Sequence, residues 1–534
     1  MKTQFFKSNP LSDSLLIKNK ETLIPILVFF FGIWYFCLRI LGTGLEFIPG
    51  DLGDSRFINF LLEHGHQWLH GNVNNFWDAN FMHPFKNTIA ISDNMLGTMP
   101  IYSLFRSFGI SVETSYQLWW IVICSLNFWS AFFVVKKWFN RWDIAIIVAW
   151  VFAFTIFNMG QLNYMQMMIR FMVPIAFYAA TKMIETKEMK YFILYSFALI
   201  FQFYSVIYTG LFLLYFSVFY IFIFAIVKKE YFFFTYLFRK KNLLKTALTI
   251  TLSVILMLLI IVPYLNIAEI IGYKTYPEVQ AMLPTWKSYL FPNETTYSWT
   301  YLNRNFQPSD IYWLHYNFMG ILHLLTLVSL PFLWVYWKIK KIRPSRLIIA
   351  LSITVFIIFL FYFKFDNGFS LYEFVFKLPG MNSIRVMNRF IHVTIFMLLI
   401  LFALFLLKIP KKWTPFIFLL AVFDNSFTTE NLIRQDKLVV ESRRVETIQL
   451  VKNNRSKSDL SFAIINPNEP PFMTHIDAMF TALELKFPTL NGYSSHGPVN
   501  HSVFFQQDNM EGLEKWLDYN TIKKEDVLIL ERRQ

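Results

Sequence analysis

The chain has 534 residues, 55% hydrophobic and 19% aromatic but only 16% charged, with a mean hydropathy of +0.41 and a formal net charge of +14. So few charges cannot solvate 62 Phe, 26 Tyr and 16 Trp, which excludes an ordinary soluble protein. The excess Lys and Arg fall in short clusters between apolar runs, which speaks against nucleic-acid binding, and the two cysteines, Cys37 and Cys124, offer neither a disulfide framework nor a Cys-based metal site.

In chain order, "MKTQFFKSNPLSDSLLIKNK" has no small-residue cleavage site and reads as a cytoplasmic tail over residues 1–20 before a retained span. Apolar segments of helical length follow at about 21–42, 115–136, 142–159, 170–185, 191–208, 209–227, 245–264, 316–337, 346–364, 390–408 and 413–424. Every second connection is basic: "KKWFNRW", "KMIETKEMK", "VKKEYFFFTYLFRKKNLLK", "KIKKIRPSR" and "KIPKK". That bias predicts about eleven spans with the N-terminus inside and the C-terminus outside. The outer side then carries loops 43–114, 265–315 and 365–389. The tail 425–534 loses the apolar signature. Its helical piece "RRVETIQLVKNN", strand-like "LSFAIIN" and "DVLIL", and turn region "NGYSSHGP" predict a small α/β domain. The fold class is therefore an all-α polytopic membrane protein, residues 21–424, with a small extracytoplasmic C-terminal α/β domain.

The densest cluster of ionisable groups lies just after the first span, in "FIPGDLGDSRFINFLLEHGHQWLHG". Gly50 and Gly53 bracket Asp51 and Asp54 and allow a tight turn. The following apolar positions Phe57, Phe60, Leu61 and Trp68 predict an amphipathic helix lying on the membrane surface. Either aspartate caps that helix, or one is free as a general base whose pKa is raised by a low local dielectric. Arg56 at the helix start either snorkels or takes part in the site. His66 and His70 share a helix face, yet without matched carboxylates they read as interfacial polar groups. Asp93, in "AISDNMLG", either caps the next apolar piece or faces the pocket.

Several stretches taken together, "PGDLGDSRFINFLLEH", "FMHPFKNTIAISDNMLG", "GQLNYMQMMIRFMVPIAFY", "FYSVIYTGLF", "LPGMNSIRVMNRF" and "LNGYSSHGP", resemble bacterial YfhO-like membrane proteins of the GT-C superfamily of polytopic glycosyltransferases. The resemblance implies a sugar donor carried on a polyprenyl phosphate and chemistry on the outer face. It also implies a catalytic carboxylate just after the first span, here Asp54 or Asp51, with Asp54 preferred because Arg56 follows it. The implied reaction is direct displacement with inversion, the aspartate acting as base. The departing lipid phosphate needs cationic donors. Arg385 and Arg389, four apart in "SIRVMNRF" and so expected on one helix face, are either placed to supply them, as is Arg56, or are ordinary interfacial anchors. Gln161, Asn163 and Tyr164 suit hydroxyl recognition, and equally a tight turn. Tyr204 and Tyr208 read as membrane-belt residues. Glu278, Trp286 and Lys287 in the aromatic outer loop, and Tyr493 in "LNGYSSHGP", are further substrate-binding candidates.

The expected function is a membrane glycosyltransferase that moves a sugar from a polyprenyl-phosphate donor to an envelope glycan or lipid acceptor at a bacterial inner or plasma membrane. The partners are these two substrates and the lipid bilayer. No cofactor is required by these residues, although they leave room for a divalent metal. The alternatives are a lipid-linked glycan transporter or flippase and a non-catalytic envelope assembly protein.

Overall fold

The computed structural model describes residues 10–308, 311–494 and 497–532. Residues 1–9 of the N-terminal tail, Lys2 and Lys7 among them, and Ser495 and His496 of the tail turn lie outside the described residues. The chain is mostly helical. It begins with α1 (Pro10–Gly32), which runs through a π-helical turn at Ile33–Leu38 into α2 (Arg39–Leu41). A short strand, β1 (Phe47–Pro49), leads to α3 (Asp54–Leu69) and α4 (Met99–Ser107). The apolar body then comprises α5 (Val112–Phe139), α6 (Trp142–Phe154), α7 (Met172–Thr186), α8 (Met189–Ser205), α9 (Ile207–Lys228) and α10 (Lys240–Ile271). Two short helices follow, α11 (Tyr276–Ala281) and α12 (Thr300–Asn305). The body resumes with α13 (Ile321–Ile339) and α14 (Arg346–Phe361), a single turn α15 (Tyr372–Phe376), α16 (Ile391–Leu406) and α17 (Thr414–Asp424).

Among the described residues six helical stretches are long and apolar enough to cross a membrane: Lys20–Leu41, Val112–Phe139, Ile207–Lys228, Lys240–Ile271, Ile321–Ile339 and Met387–Leu406. Trp142–Phe154 with Ile156–Met168 makes a seventh if the pair, bent by 53°, is one span. The protein is thus a multi-pass helical membrane protein. The remaining expected spans fall on α7, α8, α14 and α17, which are helices but shorter. The expected span 142–159 breaks at Thr155, whose backbone is extended and whose hydroxyl accepts from Phe157 N–H. Beyond it the chain winds as a 3₁₀ stretch to Met168, rich in amides that interrupt a regular apolar face.

The C-terminal part begins with β2 (Arg434–Asp436), which pairs antiparallel with β1, Ile48 opposite Gln435. It continues through α18 (Lys437–Asn454), β3 (Ser461–Ile465), α19 (Pro471–Leu485), α20 (Val499–Gln507), α21 (Met510–Tyr519) and β4 (Val527–Glu531). The strands β3 and β4 fall on the two strand-like runs and pair in parallel, Ala463 opposite Ile529. This C-terminal part is fastened to the segment 43–114. Met82 N–H donates to Asn491 O at 2.9 Å, Trp516 Nε1 donates to His83 O at 3.0 Å, and Arg444 pairs with Glu113 at 2.9 Å.

Helix α3 differs from its expected position. It is not spread on a membrane surface: Ser55 through His66 are all buried. Its apolar face packs into the body, while its polar side chains find internal partners, Glu63 with Arg106 at 2.8 Å and Arg56 with Asp477 at 2.8 Å. An amphipathic pattern fixes which face is apolar, but a docked domain can cover the polar face as well as water can.

Candidate functional site

The short turn before α3 exists because Gly50 adopts φ +88° and lies against the backbone; a Cβ there would come within 2.7 Å of Leu162 O. Asp51 then folds back. Its Oδ1 accepts from Gly53 N–H at 3.1 Å and Ser55 N–H at 3.3 Å, and its Oδ2 accepts from Asn163 Nδ2 at 3.0 Å. Asp51 and Asn163 therefore tie the helix start to the 3₁₀ stretch, and neither lines the cavity described next. Burial, with the neighbouring charge of Asp54, pushes Asp51 up to about 6.

Asp54, the first residue of α3, turns the other way, into a cavity of about 940 Å³. Its Oδ1 accepts the phenolic O–H of Tyr493 at 2.7 Å. Burial raises its pKa above the ordinary carboxylate value, while the Tyr493 hydrogen bond and the charges of Arg389 and Arg385 pull it down. Asp93 lines the same cavity and accepts from Ile207 N–H at 2.9 Å, so it caps α9 from outside that helix. Burial pushes Asp93 up to about 6 against the pull of Arg389.

Facing these carboxylates, Arg385, Arg389 and Lys274 line the same cavity. Arg389 lies over the rings of Tyr164, 5.1 Å from its centroid, and Tyr208, at 4.4 Å, and its buried Nε has no hydrogen-bond partner among the described residues. The two arginines do not share a helix face as expected. Ile384 and Val386 have extended backbone, with only a 3₁₀ turn at Met387–Phe390 before α16, and the link spreads both cations along one wall. The cavity continues between α9 and α10 past Leu211, Leu214, Met257, Ile261, Leu265 and Ala268. One part is thus polar and charged, and the other is apolar beside α10, of whose apolar window only 6% is buried.

Of the expected site residues, Asp54, Asp93, Tyr164, Arg385, Arg389 and Tyr493 meet in this one cavity. Arg56 does not: it is 1% exposed and paired with Asp477, so it is taken up in fastening the C-terminal domain. Gln161 is buried in the 3₁₀ stretch away from the cavity, with both side-chain amide atoms unpartnered among the described residues. Glu278 is exposed and closes a capping box at α11, accepting from Thr275 N–H at 2.7 Å. Trp286 and Lys287 stack on each other outside the cavity. His66 and His70 do share a face, ring centroids 4.2 Å apart, and bond to Ser103 and Ser107. Among the described residues no group of three or more His, Cys, Asp or Glu side chains could hold a metal.

Lys274, Tyr208 and Tyr264 are cavity residues that sequence reasoning missed or assigned to a membrane belt. Lys274 arrives because α10 runs on to Ile271, beyond the expected end at 264. Its N–H then donates to Asn382 O at 3.0 Å, which joins the strap after α10 to the loop bearing Arg385. A second, shallower groove of about 610 Å³ lies beside α1, with Arg39 and Arg434. Both guanidiniums there donate to backbone carbonyls and stack on aromatic rings, and the Glu46 carboxylate lines the same groove. Compared with protein-family models and with curated proteins, the chain matches none.

Proposed function

We propose that the protein is a membrane glycosyltransferase that takes a sugar from a polyprenyl-phosphate donor and passes it to a hydroxyl of an envelope glycan or lipid. In this reading eleven spans place the N-terminus inside and the cavity and C-terminal domain on the outer side of a bacterial inner membrane. The observation that carries it is the single cavity that joins carboxylates and cations at one part to an apolar, lipid-side channel at the other. A ligand with a long hydrocarbon tail and an anionic head carrying hydroxyls matches both parts, whereas a purely polar solute leaves the apolar part unused.

Asp54 is the base. As the acceptor oxygen bonds to the anomeric carbon, its proton passes to the Asp54 carboxylate. The bond from that carbon to the phosphate oxygen breaks, and the electron pair leaves on the polyprenyl phosphate. Arg385 and Arg389 stabilise the charge that develops there. Asp51, held by two backbone N–H groups and Asn163, has a structural role in this scheme.

The runner-up is a transporter for a lipid-linked glycan, and the helix broken at Thr155 is the feature that favours it. The deciding experiment is transfer from a radiolabelled polyprenyl-phosphate sugar in membranes. Asp54→Asn is expected to lose about a hundredfold or more of the product, with normal insertion, while Asp51→Asn keeps most of it. Wild-type vesicles that move the lipid-linked sugar without forming a new glycosidic bond would overturn the enzymatic reading.

A further inference from the structure

Tyr493 belongs to the C-terminal domain, 439 residues from Asp54, yet its hydroxyl donates to Asp54 Oδ1 at 2.7 Å. Its position is fixed from both sides. The preceding Gly492 N–H donates to His475 Nδ1 at 3.0 Å, and Asn491 O accepts from Met82 N–H at 2.9 Å. The ring packs against Phe57 and Phe505, with centroids 5.5 Å and 5.8 Å away. The start of α3 is fastened to the same domain, because Arg56, two residues after Asp54, meets Asp477 at 2.8 Å. Asp477 in turn holds Arg443 at 2.6 Å and Arg532 at 3.2 Å. So the carboxylate and the phenol that addresses it are each anchored, and anchored to each other.

We infer that Tyr493 is a positioning residue for Asp54: its hydroxyl occupies Oδ1, fixes the carboxylate rotamer and leaves Oδ2 to face the cavity. The inference rests on Asp54 being the working carboxylate, and it makes the C-terminal domain a part of the site. A hydrogen bond donated to a carboxylate favours the charged form, so losing it lets the proton bind more tightly. The titratable groups around Asp54 are Asp51, Tyr164, Tyr493, Arg385 and Arg389, and of these only Tyr493 hydrogen-bonds to it among the described residues.

The test is infrared titration of the full-length, detergent-purified protein, following the protonated-carboxyl C=O band assigned to Asp54 by its loss in Asp54→Asn. Tyr493→Phe keeps the ring and its packing. It is expected to move the midpoint of that band to higher pH by about one unit, the size of one hydrogen bond to a carboxylate. Tyr264→Phe removes another cavity phenol, one that donates to Ser92 O at 2.7 Å and not to Asp54, and is expected to leave the midpoint in place. A midpoint unmoved by Tyr493→Phe, or moved equally by Tyr264→Phe, overturns the inference. Because the readout requires no transfer, the hold of Tyr493 on Asp54 is read separately from the proposed reaction: retained transfer in Asp54→Asn would remove Asp54 as the base and leave the titration result standing.

Discussion

Arg389 is gripped by its flat faces between Tyr164 and Tyr208, which keeps its N–H edges pointed where an anion can meet them. Replacing it tests two effects at once. Arg389→Gln removes a charged donor to the phosphate and should lower transfer about tenfold to a hundredfold, and Arg389→Lys, which keeps charge without the planar stacking, should fall between. The second effect is on pH dependence. Burial lifts Asp54 above the ordinary carboxylate value and Arg389 draws it back down, so losing Arg389 lifts it further. Since the base works as carboxylate, activity declines as pH falls through that value, and the acid limb of Arg389→Gln should lie at higher pH than that of the wild type. A pH–rate profile with an unmoved limb would contradict the placement. Asp54 and this arginine were legible in the sequence because each lies in a short polar cluster beside an apolar run. The preference for Asp54 over Asp51 rests there on Arg56, which pairs with Asp477 instead; both aspartates fit the same spacing, and only the direction of each side chain separates cap from cavity. Lys274 and Tyr208 carried no local signal, because a lone cation and one of 26 tyrosines stand out only once the fold brings them together.

Helix α3 joins two parts of the chain, and its stability depends on both. The Arg56–Asp477 pair is almost fully buried, with side-chain exposures of 2% and 1%, and Asp477 also serves Arg443 and Arg532. Removing the shared carboxylate leaves three guanidiniums facing one another in or near the interior. Asp477→Ala should therefore cost about 3–5 kcal/mol, read as a lowered melting temperature of the purified protein. Asp477→Leu should not recover the loss, because shape is not what is missing. At the other end, Gly50→Ala should be badly tolerated for a backbone reason: φ of +88° is strained for any side chain, and the Cβ would press on Leu162 O. The existence of α3 followed from its apolar spacing, and the helices of the body from their apolar runs. Their ends did not follow, because α10 runs on past its expected end at 264 to Ile271 and α6 stops where a threonine hydroxyl satisfies a backbone N–H. The cover over the polar face of α3 was invisible in the sequence, since its partner lies more than 400 residues away.

At the level of the whole molecule, ion pairs and hydrogen bonds sort the connections between helices onto two faces. Lys136 at the end of α5 meets Glu21 in α1 at 3.7 Å, and Lys187 after α7 meets Glu230 after α9 at 2.7 Å. Arg346 at the start of α14 donates to Lys228 O at 3.2 Å, and Thr414 at the start of α17 donates to Asp143 at 2.8 Å. The basic turns therefore gather on one face, while β1, α3, the cavity and the C-terminal domain gather on the other. A Lys-rich face is held on the cytoplasmic side during insertion, so the cavity should open outward. The two native cysteines are 0% and 1% exposed and should stay silent to a membrane-impermeant maleimide, which allows the sidedness to be read from single introduced cysteines. Lys523→Cys and Asn72→Cys should label in intact cells; Lys190→Cys and Lys340→Cys, both at exposed positions on the basic face, should label only after permeabilisation. If the reverse pattern appeared, the carboxylates would face the cytoplasm, where an envelope acceptor is absent, and transfer to an envelope hydroxyl could not be the reaction of this cavity. If all four labelled alike in sealed cells, the basic turns would not mark a cytoplasmic face, and the number of crossings would have to change by an odd count between them.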